Sequence, residues 1–152
     1  MPGFLFGTGL VFIIDRFSKV LALKTLSSVS TFPVWPGVFH WTLVRNTGVA
    51  FGMFQNKGAF LAVLSLFSAA AILFYLCFTR SRAGGKQEML RRWAWAVIAG
   101  GALGNAYDRI RFGAVIDFLD FRIWPVFNLA DTAIICGALT VALTLFFQKE
   151  AP

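Results

Sequence analysis

Between Ala59 and Thr79 the chain carries no charged side chain. That stretch is as long as the roughly 20 apolar residues a helix needs to cross a bilayer core. Three further apolar stretches share the chain: 4–26, 93–107 leading into Asp108 and Arg109, and 123–147. Four such runs in 152 residues, 58% of them hydrophobic and 14% charged, leave little that a water-soluble fold could use as a surface. Soluble domains average about 45–50% apolar and about 25% charged residues. Lipid is therefore the expected solvent. The pattern predicts one all-α polytopic membrane domain over residues 1–152, with helices at 4–26, 59–79, 93–112 and 123–147. The first stretch lacks a basic leader and a small-residue cleavage site, and Asp15, Arg16 and Lys19 interrupt it, so a retained helix is expected rather than a signal peptide.

Charge sets the expected orientation. The linker 80–92 holds Arg80, Arg82, Lys86, Arg91 and Arg92 against one acid, Glu88. The positive-inside rule places this linker in the cytoplasm and both termini with it. Residues 27–58 and 110–124 then face outward. The net charge of +7 is concentrated in that linker rather than spread along one face, so it reads as topology, and no nucleic-acid partner is expected. The first outward segment begins with a turn-rich aromatic stretch, residues 32–37. A strand-like run, 38–44, follows, then an Asn46-Thr47-Gly48 turn and a short interfacial piece, 50–54. Cys77 and Cys136 lie in apolar runs, where a free thiol acts as a small hydrophobe. His40 stands alone, with no Cys/His cluster to make a zinc site, so no metal or other cofactor is expected.

Ionisable residues inside membrane helices cost about 2.5–3.5 kcal/mol each at the centre of the bilayer. Here they recur in an ordered way. Asp15, Ser18 and Lys19 share one face of the first helix, and Gly101, Asn105, Asp108 and Arg109 share one face of the third. Asn128 and Asp131 are three apart in the fourth, and Asp117 falls in the loop between the last two. One polar cluster at the outer surface accounts for the whole set. Several members have a structural explanation. Asp15 and Lys19 make an internal ion pair, Arg109 snorkels and pairs with Asp108 or Asp120, and Gly100 and Gly104 permit close helix packing. Ser18 and Lys19 point in different directions on a helix, which weakens a Ser/Lys nucleophile reading. Asp131 is the hardest to explain structurally, since Asn128 is its only sizeable polar neighbour on that face.

Two neighbouring carboxylates that share a proton hydrolyse a peptide without metal or nucleophile. Glu88 and Glu150 face the cytoplasm and Asp15 has Lys19 beside it, leaving Asp108, Asp117, Asp120 and Asp131 at the outward end. The chemistry alone does not choose among these four.

Five segments stand in order: Asp15-Arg16-Phe17-Ser18-Lys19, residues 45–51 (Arg-Asn-Thr-Gly-Val-Ala-Phe), residues 100–109 (Gly-Gly-Ala-Leu-Gly-Asn-Ala-Tyr-Asp-Arg), Val115-Ile116-Asp117-Phe118 and Phe127-Asn128-Leu129-Ala130-Asp131. Together they resemble the successive motif boxes of lipoprotein signal peptidase, or signal peptidase II. The resemblance implies an aspartic peptidase of the bacterial inner membrane, its site at the extracytoplasmic surface among membrane lipids, and a monomer is expected. Its substrates would be prolipoproteins carrying diacylglyceryl-Cys, cut just before that Cys. It implies four transmembrane helices with a small extracytoplasmic β-cradle and a short interfacial helix. The catalytic pair would be Asp117 and Asp131. Asn46, Gly48, Asn105, Asp108, Arg109 and Asn128 would line or support the site, and Asp15 and Lys19 would have a structural polar role. The chain departs from the family in two places. Arg16 stands where Gln is usual, and the 14 positions from Asp117 to Asp131 are a short interval, which trims the outward loop over the site. A membrane ion pathway is the main rival from another class. It would need polar residues through the full membrane thickness, whereas the second span is uncharged and the cytoplasmic halves of the third and fourth are apolar. Other intramembrane aspartic proteases share a Gly-x-Gly-Asp box that is missing here.

Overall fold

The structure, a computed structural model, describes residues 2–49, 53–79 and 85–147. Among these, α1 (Pro2–Leu26), β1 (Thr31–Trp35), β2 (Phe39–Asn46), α2 (Gly58–Phe78), α3 (Lys86–Phe112), β3 (Val115–Asp120) and α4 (Leu129–Phe146) follow in chain order. Helix α3 is the central element and packs against α1, α2 and α4. Small residues allow this. A Cβ on Gly104 would stand 2.3 Å from the Asp15 carboxylate of α1, and one on Gly101 2.5 Å from the Ala130 carbonyl of α4. The Gly100/Gly104 pattern is thus a packing surface, as its spacing predicts.

Outward, the helices are apolar. Phe67, Phe74 and Phe78 of α2 and Leu139, Leu143 and Phe146 of α4 are exposed, as are Ile13 and Phe17 of α1. A surface of this kind is stable in lipid and not in water. By length and composition, α2 and α4 are each apolar enough to cross a membrane. Helices α1 and α3 carry charges, but Asp15, Lys19 and Asp108 are wholly buried between them.

The three strands form one antiparallel sheet in the order β1-β2-β3. Residues 32–35, expected as part of a turn-rich stretch, are strand. Pro33 is tolerated there because β1 is an edge, where a missing N–H breaks no ladder. The turn itself is confined to residues 36–38, with Gly37 at φ 78°. Strand β2 begins and ends later than the expected 38–44. Of the expected interfacial piece 50–54, residues 50–52 lie outside the described residues, and Met53–Asn56 is a turn rather than a helix.

Two helix boundaries are corrected. Helix α3 starts at Lys86, so the second half of the predicted 80–92 linker is helical. Residues 86–92 are mostly strong helix formers directly after Gly84-Gly85, and Arg91 pairs with Glu88 one turn away. Arg80, Arg82, Lys149 and Glu150 lie outside the described residues. Helix α4 starts at Leu129, not 123. Pro125 disfavours helix at Trp124 before it, and Asn128 caps the helix instead of belonging to it. Phe127 is extended and exchanges backbone bonds with Leu119 (2.8 and 3.0 Å), covering the outer edge of β3. Asp117 therefore lies in a strand rather than a loop, and residues 110–112 belong to α3.

Arg92 is a buried basic residue at the far end of α3 from this sheet. Its guanidinium donates to the Leu76 carbonyl at 2.7 Å and to Thr79 Oγ1 at 3.1 Å, and it lies over the rings of Phe4 and Tyr75. It thus satisfies the end of α2, where backbone carbonyls lack helical partners. Arg92→Met is expected to destabilise the protein by about 1–3 kcal/mol, the usual cost of an unpaired buried polar group. A lower thermal midpoint in detergent would register it.

Candidate active site

Strand β3 sorts its side chains by alternation. Phe118 turns toward Ala22 and Leu26 of α1 and stacks on Trp41, with ring centroids 5.8 Å apart. Asp117 belongs to the other face. Strand pairing sets Asn46, the last residue of β2, opposite Val115, which brings the Asn46 amide to Asp117. Asn46 Nδ2 donates to Asp117 Oδ2 at 3.0 Å, and Asn128 Nδ2 donates to Asp117 Oδ1 at 2.6 Å.

Asn128 is the hub. Its Oδ1 accepts the Asp131 backbone N–H at 2.9 Å, while Asp131 Oδ2 accepts the Asn128 N–H at 3.3 Å. This reciprocal capping box starts α4 and fixes the Asp131 carboxylate at the helix N-terminus. The other Asp131 oxygen, Oδ1, accepts from Asn105 Nδ2 of α3 at 2.7 Å. Asn105 Oδ1 in turn accepts from Lys19 Nζ at 2.9 Å. Asp117 and Asp131 are thus joined through one side chain, Asn128. They also line one cleft of about 190 Å³, together with Asn46, Arg109, Trp124 and Phe127.

The four acids left open by the sequence are now separated by their partners. Asp108 is ion-paired to Arg16 and to Lys19, the latter at 2.9 Å, and accepts the Ile116 N–H at 3.2 Å. Asp120 is paired with Arg122 at 3.0 Å and accepts from Thr42 at 2.7 Å. Burial alone would raise the Asp120 carboxyl, but the hydrogen bonds from Thr42 and from Arg122 outweigh it and hold the group below its ordinary value. Neither Asp117 nor Asp131 has an ion-paired Lys or Arg among the described residues. Burial, reinforced by the neighbouring Asp131, pushes the Asp117 carboxyl up to about 7, despite the opposing bonds from Asn46 and Asn128.

Of the remaining predicted residues, Asp15 and Lys19 form the expected ion pair at 2.9 Å, and both are buried. Arg109 pairs with neither Asp108 nor Asp120. Its guanidinium donates to the Gly48 carbonyl at 3.0 Å and tethers the turn after β2 to α3. Gly48 is required there, because a Cβ would stand 2.3 Å from the Met53 carbonyl. His40 Nε2 accepts from the Gly37 N–H, away from the cleft, and both cysteines are free. Among the described residues no group of His, Cys, Asp or Glu converges to hold a metal ion.

Sequence reasoning missed two features of the site. It counted Trp124 and Phe127 as helix, although Pro125 was the available signal that they form a wall of the cleft. It also noted Arg16 only as a departure, because nothing local points from Arg16 to Asp108, 92 residues away.

The sequence profile of signal peptidase (SPase) II matches residues 8–147. The lipoprotein signal peptidase of Halothermothrix orenii is 38% identical over 141 residues, covering 93% of each chain. That of Moorella thermoacetica is 42% identical over 137 residues, covering 90% of this chain and 87% of the relative. Two solved bacterial membrane enzymes, determined in meso at 2.3 and 1.9 Å resolution, share the fold, each at 25% identity. Their TM-scores are 0.83, over 100% of this chain and 94% of the other, and 0.79, over 99% and 96%. With a profile match over nearly its whole length and relatives this similar, the chain belongs to the signal peptidase II family of membrane aspartic peptidases, which remove signal peptides from prolipoproteins.

Proposed function

We propose that Asp117 and Asp131 are the catalytic dyad and that they cut diacylglyceryl-modified prolipoproteins just before the lipidated Cys. The observation that carries this reading is the shared cleft: the buried Asp117 and the half-buried Asp131, neither with an ion-paired cation among the described residues, linked through Asn128. Two such groups cannot both ionise at low cost, so the pair holds one proton. Asp117, pushed up to about 7, is the partner suited to keep it. Asp131 carries the charge, favoured by its place at the N-terminus of α4 and by the Asn105 amide.

In the first step Asp131 takes a proton from a water as its oxygen attacks the scissile carbonyl carbon. Asp117 gives its proton to the carbonyl oxygen, leaving a tetrahedral diol. In the second step Asp131 gives the proton it took from water to the amide nitrogen and the C–N bond breaks, while Asp117 takes a proton from the diol, so the new carboxylic acid and amine leave and the dyad returns to its starting state. Asn46 and Asn128 orient Asp117. Arg109 Nε, buried and unpartnered among the described residues, is free to donate to a substrate carbonyl.

The same proposal includes a single domain with four membrane-spanning helices, a monomer working without cofactor or nucleic acid, and a site at the extracytoplasmic surface. Burial of Asp15, Lys19 and Asp108 supports the four spans, since α1 and α3 then present few charges to lipid. The orientation is supported by α3 itself. Lys86, Arg91 and Arg92, following Arg80 and Arg82 of the linker, mark its start, against Arg109 and Arg111 in its last turn, and Asn105 and Asp108 lie about 20 Å along the axis from the first set at 1.5 Å per residue. By the positive-inside rule the basic excess before and at the start of α3 favours the cytoplasm for that end and the opposite surface for the dyad. A site at that depth lets the substrate's acyl chains stay in the bilayer while water reaches the bond.

The test is cleavage of a synthetic diacylglyceryl-modified prolipoprotein by the purified protein in detergent, beside an unlipidated copy. Asp117→Asn and Asp131→Asn are each expected to lower turnover by about three orders of magnitude or more, as loss of a reacting group does elsewhere. Both should retain a folded, membrane-inserted protein. Near-normal turnover in either folded variant would sink the dyad assignment.

The rate should also fall as pH rises through about 7, where Asp117 loses the proton it must donate. A turnover number constant up to pH 9 would contradict that role. Because the folded-state value lies above the ordinary 3.8, the associated stability is greatest at low pH and is lost as pH rises from about 4 to about 7. Asp117→Asn should therefore unfold no earlier than the parent at pH 8, as a thermal melt would record.

A further inference from the structure

Two buried carboxylates take no part in the reaction above, yet each grips the backbone one residue ahead of a dyad member. Asp15 Oδ1 accepts the N–H of Ala130, next to Asp131, at 3.0 Å. Asp108 Oδ2 accepts the N–H of Ile116, next to Asp117, at 3.2 Å. Lys19 stands between them, 2.9 Å from Asp15 Oδ2 and 2.9 Å from Asp108 Oδ2. One cation between two buried carboxylates would leave a net negative charge in a site with no water-exposed side chain. Breaking the charge balance of such a cluster is strongly destabilising. Arg16 supplies the fourth charge. Its guanidinium pairs with Asp108 Oδ1 and lies 4.5 Å from the centroid of the Tyr107 ring, which holds it in place.

We propose that Arg16 is a positioning residue for the reaction. By neutralising Asp108 it keeps that carboxylate on the Ile116 N–H and so fixes the strand segment carrying Asp117 relative to Asp131. This rests on the dyad reading given above. Arg16 does not line the cleft, so its effect falls on the chemical step and not on substrate binding. A glutamine at this position could hydrogen-bond to Asp108 but could not balance its charge. In this chain the Asp108 grip is held by an ion pair on each oxygen.

The experiment measures steady-state kcat and KM on the lipidated substrate for the full chain and its variants. Arg16→Ala is expected to lower kcat by about ten- to hundredfold, the scale of a misplacement of about 1 Å, with KM within about twofold of the parent. Arg16→Lys should recover most of the loss, since it restores the charge. In an Asp108→Asn background, Arg16→Ala should add no further loss, because the residue it acts through is already disabled. Should Arg16→Ala fail to fold, Arg16→Gln and Arg16→Lys carry the comparison, and a kcat loss in Gln that is absent in Lys supports the role.

A kcat within about twofold of the parent in folded Arg16→Ala, a loss seen in KM, or independent losses that multiply in the double variant would overturn it. Asp117→Asn and Asp131→Asn run alongside. If they are inactive while Arg16→Ala is normal, only the positioning role fails. If they cleave normally, the dyad reading itself has failed.

Discussion

The Lys19 ammonium has no exposure to solvent or lipid, and it lies 2.9 Å from a carboxylate of α1, 2.9 Å from one of α3, and 2.9 Å from the Asn105 amide oxygen. Charges buried this deeply persist only when partnered, because desolvation costs several kcal/mol per ion and the low-dielectric attraction must offset it. The requirement orders the helices. α1 must present Asp15 and Lys19 to α3, and α3 must approach closely enough for Asp108 to join them. Gly104 makes that approach possible, since any side chain there would strike the Asp15 carboxylate. Packing and electrostatics at this contact are one constraint.

From that contact the order extends to both aspartates of the cleft by separate routes. Asp15 holds the Ala130 backbone, and Lys19 reaches Asp131 through Asn105. Asp108 holds the Ile116 backbone, which sets β3 and Asp117. Asn128 closes the loop. As a helix cap it satisfies backbone groups at the start of α4, and with the remaining amide protons it restrains Asp117. A single asparagine thus joins a local folding rule to the long-range geometry of the site, and an ionised Asp could not do both. It caps a helix but has no proton to donate to a carboxylate.

The sheet contributes a different property. A short strand gives Asp117 a rigid backbone and a dry surrounding. Alternation sends Phe118 into the apolar cluster with Ala22 and Leu26, and it leaves Asp117 on the polar face. Burial of the strand is also what lifts the Asp117 carboxyl toward neutrality. Asp120, three residues on and at the edge of the same strand, meets Arg122 and Thr42 and moves the other way. Identical side chains on one strand are given opposite behaviour by what lies beside them.

Sequence alone determined the apolar class of the chain, the existence of four helices, and the polar set Asp15, Lys19, Asn105, Asp108 and Asp131, because helical periodicity and the absence of charge are local properties. The ordered motif boxes also carried the family resemblance, which the family profile and relatives bear out. Where helices begin was legible only in part. Pro125 and Asn128 marked the true start of α4, but the apolar run through Ile123 and Trp124 masked it. Residues 32–35 look like a turn in sequence, and only pairing with β2 makes them a strand. Which of the four candidate acids stand without an ion-paired cation was not legible at all. Arg16 and Asp108 are 92 residues apart, and Asn46 and Asp117 are 71 apart. A carboxylate's state depends on charges and donors within a few ångströms, and which groups those are is decided only when the helices pack and the strands pair.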